Sequence, residues 1–322
     1  MVIGIVSVGS PGVDREDAVE ARPPGGVDHA DPDTAVPTGP PRPGLLQLLM
    51  AFGMVCSVAA LFIGVFAFSL SGFQEQRSQH LLYADFRGLL DSRNPVAPSI
   101  GGVIHPGTPI AMLSAPVAGL DRVIVVEGST SGDVLSGPGH RPNTPLPGQP
   151  GASIIVGRSV TSGAPFAGIA LLRRGSVIHV RTGQGPFRYT VVGRVPDGQP
   201  LPTVRSDSGL LILVTSTGSG WAGKLTSSHL LYVVARLDGT AVPAPHGRPN
   251  SVPVAAVQGH NDPAGWLLLV GLMAVLIGVS ALVWRAWYRW GLLRTWLVGA
   301  PVLLAILWSL GNAAMRLVPN VY

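Results

Sequence analysis

The sequence is poor in charge, in cysteine and in acidic clusters. Only 12% of its 322 residues are charged while 47% are hydrophobic, and the mean hydropathy is +0.40. That balance excludes an ordinary soluble domain and points to membrane spans. A single cysteine, Cys56, excludes an internal disulfide and a multi-cysteine metal site. It sits in an apolar run and reads as a small buried hydrophobe. The histidines are isolated, with no carboxylates at ligand spacing, so neither a metal nor a cofactor is expected. GxGxxG and P-loop patterns are absent. The net charge of +5 comes from scattered arginines, not from a basic face with interleaved aromatics, so nucleic acid is not an expected partner.

What is plentiful is glycine (42) and proline (30). Much of both falls in residues 1–43, where Pro, Gly, Asp and Glu dominate and no apolar period is visible. Such a segment cannot bury enough surface to offset its ordering entropy, and it reads as a disordered cytoplasmic tail. Its apolar start, MVIGIVSVG, lacks the basic region and apolar core of a signal peptide. It reads as an over-extended start or a weak strand.

Residues 44–73 contain an almost unbroken apolar run from Leu45 to Phe73, longer than the about 20 residues that cross a bilayer as a helix. Residues 74–106 follow as an amphipathic helix and linker, with Leu81, Leu82, Phe86, Leu89 and Leu90 at helical spacing. That helix either lies on the bilayer or packs on the next domain; the spacing fits both. Pro95 ends it.

Residues 107–238 read as all-β. Seven short segments rich in Val, Ile, Leu and Tyr are bounded by Gly, Pro, Asp or Ser: Pro109–Leu113, Val123–Glu127, Ser153–Val156, Ser176–Arg181, Phe187–Arg194, Leu210–Thr215 and Leu230–Arg236. TGQGPF has hairpin chemistry, with Gly183 and Gly185 free to take positive φ. Seven or eight strands at this spacing suggest a small closed barrel or a sandwich. A linker (239–263), a second span (264–284), a short basic cytoplasmic loop (285–294), a third span (295–315) and a tail (316–322) complete the chain. Trp266, Trp284, Trp287, Tyr288 and Trp290 flank the second span as aromatic residues do at bilayer interfaces. Arg285, Arg289 and Arg294 place the connection between spans two and three in the cytoplasm. The β-domain is then extracytoplasmic, in a multi-pass plasma-membrane protein.

Leu135 to Phe166 is the most informative stretch. It carries GPGH, then PLPGQPG, then an apolar strand and a tight turn at Gly157, then GAPF. These elements resemble the sortases, the membrane-anchored cysteine transpeptidases of Gram-positive bacteria, above all their actinobacterial, class E-like forms. The resemblance spans roughly Gly107 to Leu237 and implies an eight-stranded barrel. It also implies a His after the strand that follows the PG element, a Cys after a Thr at the end of a later strand, and an Arg opening the last strand. At those places this sequence has Arg158, Ser216 (after Thr215) and Leu230, with His229 adjacent; Ala152 replaces the family's Asn. Some sortases bind calcium, but no acidic cluster supports that here. The resemblance therefore implies a catalytically degenerate member, with no catalytic residue expected.

Three functions follow as expectations. The first is a non-catalytic binding or assembly module at the cell envelope, whose cleft holds a cell-surface peptide or an envelope protein. Arg158 and Ser216, facing one another, would suit a carboxylate or phosphate; the alternative for Arg158 is a guanidinium in solvent or paired with Asp or Glu. The second is an active transpeptidase or hydrolase using Ser216. A Ser hydroxyl needs an adjacent base, which Arg158 cannot be. His140, His179 and His229 are the other candidates; the resemblance implies that GPGH, and with it His140, lies in a loop and is not the catalytic His. The third is a subunit of a membrane complex, since three spans exceed what anchoring needs.

Overall fold

The computed structural model describes residues 44–91, 104–199, 208–217, 229–244 and 263–317. The expected tail (1–43), most of both linkers and residues 318–322 lie outside them. The chain divides into two units, Met1–Leu45 and Leu46–Tyr322. Of the first, only Gly44 and Leu45 are described; the second holds a β-barrel and the apolar helices.

The first helix is longer than its apolar run. Helix α1 (Leu45–Val65) passes through one π-helical turn (Phe66–Leu70) into α2 (Ser71–Asp91). The expected span and the expected amphipathic helix are thus one rod of 47 residues. At 1.5 Å per residue it is about 70 Å long, against a hydrocarbon core of about 30 Å. Its C-terminal half extends beyond any bilayer and packs on the barrel: Gln79 Nε2 donates to the carbonyls of Ile124 (3.1 Å) and Ser136 (2.8 Å), and the Ile124 N–H donates to Gln79 Oε1 (2.7 Å). Of the two placements the spacing allowed, packing on the domain is the one found.

Among the described residues the remaining long helices are α3 (Pro263–Trp290) and α4 (Leu292–Leu317). With the first rod they make three helices long and apolar enough to cross a membrane. The expected loop 285–294 is mostly helical: α3 runs on to Trp290, and the chain reverses at Gly291 alone, whose φ of 79° suits glycine. Arg285 and Arg289 therefore sit on α3, and Arg294 on α4. Ala59, Leu276, Leu307 and Leu310 form the buried centre of the helices. Gly311 lets α4 approach Phe66, whose ring stands where a Cβ would be, and Trp308 meets the same ring edge-on at 5.1 Å.

Eight strands close the barrel: β1 (Pro109–Ala115), β2 (Leu120–Glu127), β3 (Gly139–His140), β4 (Gly151–Val156), β5 (Val177–Thr182), β6 (Gly185–Pro196), β7 (Gly209–Thr217) and β8 (His229–Leu237). Their order around it is β1-β2-β3-β4-β7-β8-β6-β5. All seven expected strands are present, six of them slightly longer and β5 shifted by one residue. The one missed is β3, only two residues, which holds the His140 expected in a loop. β4 and β7 run parallel, Val156 beside Val214. Ile155, Leu211, Leu213, Val233 and Ala235 point inward onto Phe166, Leu172 and Tyr189. In the β5–β6 hairpin positive φ falls on Gly185 (131°) and not on Gly183.

Candidate functional site

β4 and β7 bring the motif residues together at one end of the barrel. Beyond Val156 the chain stays extended: the Gly157 N–H donates to the Val214 carbonyl (3.0 Å), and Thr215 Oγ1 donates to the Gly157 carbonyl (2.8 Å). The tight turn expected at Gly157 is absent. Glycine is needed there because the Phe166 ring occupies the space of a side chain.

Residues 158–166 form a loop closed by the Phe166 N–H on the Arg158 carbonyl (3.0 Å). Inside it the Ala164 N–H bonds to the Thr161 carbonyl (3.0 Å). Ser162 (φ 51°), Gly163 (69°) and Ala164 (48°) are all left-handed, the first two as in a type I′ turn. Left-handed backbone costs a non-glycine residue about 1–2 kcal/mol, so neighbours must hold this loop. Helix α2 supplies them: the Ser162 N–H donates to Ser71 Oγ (3.1 Å), and the buried Glu75 carboxyl lies against Gly163. Ser71, Glu75 and Gln79 recur every four residues, as one polar stripe of α2 turned to the barrel.

Arg158 is only 5% exposed. Its Nη1 donates to Thr161 Oγ1 (3.1 Å), and its Nη2 donates to the main-chain carbonyls of Ser131 and Met315 (3.2 Å each). Nε is buried without a hydrogen-bond partner. Among the described residues no carboxylate forms an ion pair with it. Burial pulls its pKa down to about 10, which leaves it charged at neutral pH. Met315 is in the last turn of α4, where the carbonyls lack helical partners and the helix dipole is negative. The guanidinium thus caps a helix end, and is neither in solvent nor paired with Asp or Glu, the two placements the sequence reading gave as alternatives.

Ser216 is also buried, and its Oγ lies 3.0 Å from Ser159 Oγ. Its described hydrogen bond is therefore to Ser159 and not to Arg158. Leu230 is opposite Ser216 across β7–β8, and the exposed His229 is opposite Thr217. His140 is fully buried: Nδ1 meets Glu127 Oε2 at 2.8 Å, while Nε2 lies 2.9 Å from the Pro145 carbonyl and 3.1 Å from Thr144 Oγ1. Both ring nitrogens are engaged, so His140 belongs to the barrel's scaffold. His179 is exposed on β5. Arg158 follows β4, and Ser216 and Leu230 are paired on β7 and β8 near the same end of the barrel.

Residues 113–237 match the family model for the Sortase domain. The match runs from within β1 to the end of β8. The barrel has the sortase fold. Similar solved structures include a Clostridium perfringens sortase D5 transpeptidase (21% identity, 51% of this chain and 98% of that one, TM-score 0.39). Sortase E1 from Streptomyces coelicolor with a tripeptide in its active site (22%, 43% and 93%, 0.35) and sortase E from Streptomyces avermitilis (24%, 42% and 91%, 0.34) are two more. No curated protein matches the chain.

Around the sortase barrel the sequence reading missed Ser131, Ser159, Thr161 and Met315, the groups that meet Arg158 and Ser216. Met315 could not be found by pattern, because only its carbonyl takes part. The α2 stripe was findable: three polar residues at intervals of four directly follow an apolar run.

Proposed function

We propose that this protein is a non-catalytic, membrane-anchored sortase-fold module at the cell envelope, multi-pass in the plasma membrane with its barrel extracytoplasmic. The observation that carries this reading is the use made of Arg158. At the position where the resemblance puts an imidazole base stands a buried guanidinium, which cannot accept a proton at neutral pH, and its Nη atoms are engaged by Thr161, Ser131 and Met315. Ser216 stands where the thiol nucleophile belongs, and Leu230 where the arginine belongs. On this reading the site residues hold the barrel to its own helices, and the cleft serves assembly or the binding of an envelope peptide or protein.

The same contact favours the third reading, a subunit of a membrane complex. A barrel fastened at α2 and at the end of α4 moves with its helices, so a partner bound in the membrane would be sensed by the barrel. The orientation rests on the arginines near Gly291, which lies about 36 Å along α4 from Met315.

The test uses the full chain in lipid nanodiscs, treated with a serine-reactive fluorophosphonate probe and with sorting-signal-like peptides, beside Ser216→Ala. The expected result is neither labelling nor turnover. Labelling or turnover that disappears in Ser216→Ala would establish a serine enzyme and overturn the non-catalytic reading.

A further inference from the structure

Strands β5, β6 and β8 contain no Asp or Glu, yet they place exposed arginines on the barrel's outer surface. The register puts His179 beside Arg188 and Thr190 beside Arg236. Arg181 is two residues beyond His179 on the same face. Arg181, Arg188 and Arg236 are therefore diagonal neighbours on three adjacent strands, about 7–8 Å apart at the backbone. Among the described residues the one carboxylate that forms an ion pair with them is Asp238, just past β8, which lies 3.3 Å from Arg188 Nε and accepts from Thr190 Oγ1 (2.8 Å). A single half-exposed acid offsets one of three cations. The remaining like charges repel across a spacing comparable to the Debye length of about 8 Å, so the row opposes folding slightly, and among the described residues Arg181 and Arg236 form no ion pair.

The row's position selects its partner. Arg236 pairs with Leu210 and Leu230 with Ser216; six residues of strand separate these positions, about 20 Å. Arg188 follows the same end through β6. Arg181 is set back from it, paired with Met112, which is opposite Ile124, the residue that Gln79 holds to α2. Arg188 and Arg236 thus lie at the end of the barrel remote from Arg158, where α4 makes contact, and Arg181 is near the level of Gln79, about 21 Å along the rod beyond Val65. That distance from α1 favours a soluble partner over lipid headgroups. All three cations are arginines, whose planar fork binds phosphate through paired hydrogen bonds.

We propose that Arg181, Arg188 and Arg236 form a docking strip for a soluble, phosphate-bearing linear polymer, with successive anions meeting successive guanidiniums. This proposal is independent of whether the sortase cleft is catalytic.

The test uses the full chain in nanodiscs of zwitterionic lipid, with fluorescent inorganic polyphosphate as probe. Polyphosphate should bind and weaken as salt rises. The triple variant Arg181→Gln, Arg188→Gln, Arg236→Gln should lose at least tenfold in affinity, with a salt slope smaller by about 2. It should keep the circular dichroism and melting temperature of the parent. Arg173→Gln with Arg174→Gln, in the turn before β5, should stay within twofold. Absence of polyphosphate binding at low salt, or equal losses in both variants, would overturn the strip. So would polyglutamate binding as tightly as polyphosphate. Loss in the triple variant of binding to phosphatidylglycerol vesicles, with polyphosphate binding intact, would assign the row to lipid and overturn the proposal.

Discussion

Arg158 Nη2 donates at 3.2 Å to the main-chain carbonyl of Met315, joining the end of a barrel strand to the last turn of a helix 157 residues away. The Ser131 carbonyl lies at the same distance from the same nitrogen, so the two backbones are near neighbours. Lysine cannot replace this bridge, because its ammonium lacks the fixed fork that meets two carbonyls and a hydroxyl together. Arg158→Gln should loosen α4 from the barrel. In a Cys56→Ala background, Met315→Cys, buried in the parent, should react slowly with a maleimide, and at least fivefold faster once Arg158→Gln is added. The melting temperature should fall too, since stranding buried acceptors costs about 1–3 kcal/mol. An unchanged labelling rate would mean that the helix is seated by other contacts.

Gln79 gives the second fastening its own test. Its amide satisfies both the N–H and the carbonyl of Ile124, a residue with no exposed surface, and the Ser136 carbonyl besides. Gln79→Ala should cost about 1–3 kcal/mol. Hydrogen exchange at the Ile124 amide should rise at least tenfold, while amides of β7 and β8, far around the barrel, stay protected.

The architecture was legible where local chemistry is repetitive. Alternating apolar strands with glycine and proline boundaries marked seven of the eight strands, and uninterrupted apolar runs marked all three long helices. Two-residue β3 carries no such pattern; it exists because Gly139 and His140 are trapped between β2 and β4. The π-turn at Phe66–Leu70 also has no sequence signature, which is why one rod read as two elements. At the site, the motif register singled out Arg158, Ser216 and Leu230, which lie after β4, on β7 and on β8. It could not show that Arg158 turns to a carbonyl of α4, since a main-chain acceptor from a distant helix has no residue type to announce it.

Gly311 and Phe66 set the approach of α4 to the first helix. A Cβ at residue 311 would stand 2.7 Å from the Phe66 ring, so Gly311→Leu must push the two apart. Overpacking of this kind costs about 1–3 kcal/mol. The full chain in mild detergent should melt earlier, and Trp308 fluorescence should shift as its edge-on contact with Phe66 opens. Phe66→Ala in the same chain should recover part of the loss. Simple addition of the two single effects would show that these residues do not act through one contact.

Tyr189 sets an alkaline limit on the barrel. Its side chain is fully buried, and its hydroxyl oxygen accepts from the Gly148 N–H at 2.6 Å. Burial pushes its pKa up to about 12, partly opposed by that hydrogen bond. In the unfolded chain the phenol ionises near its ordinary value of 10. Between those two values the folded state keeps a proton that the unfolded state has released. Stability therefore falls as pH rises through this window, by about 1.4 kcal/mol per unit and about 3 kcal/mol in all. The contribution is complete below pH 10, so nothing changes near neutrality. Arg158 acts in the opposite direction from about pH 10 upward, because burial lowers its pKa. Tyr189→Phe should remove the loss and leave that opposing trend visible. Urea titrations of the full chain at pH 9 and pH 11.5 measure the difference: in the parent the two trends nearly offset, and the Phe variant should gain about 2 kcal/mol relative to the parent between them. Parallel changes in both proteins would place the alkaline sensitivity outside Tyr189.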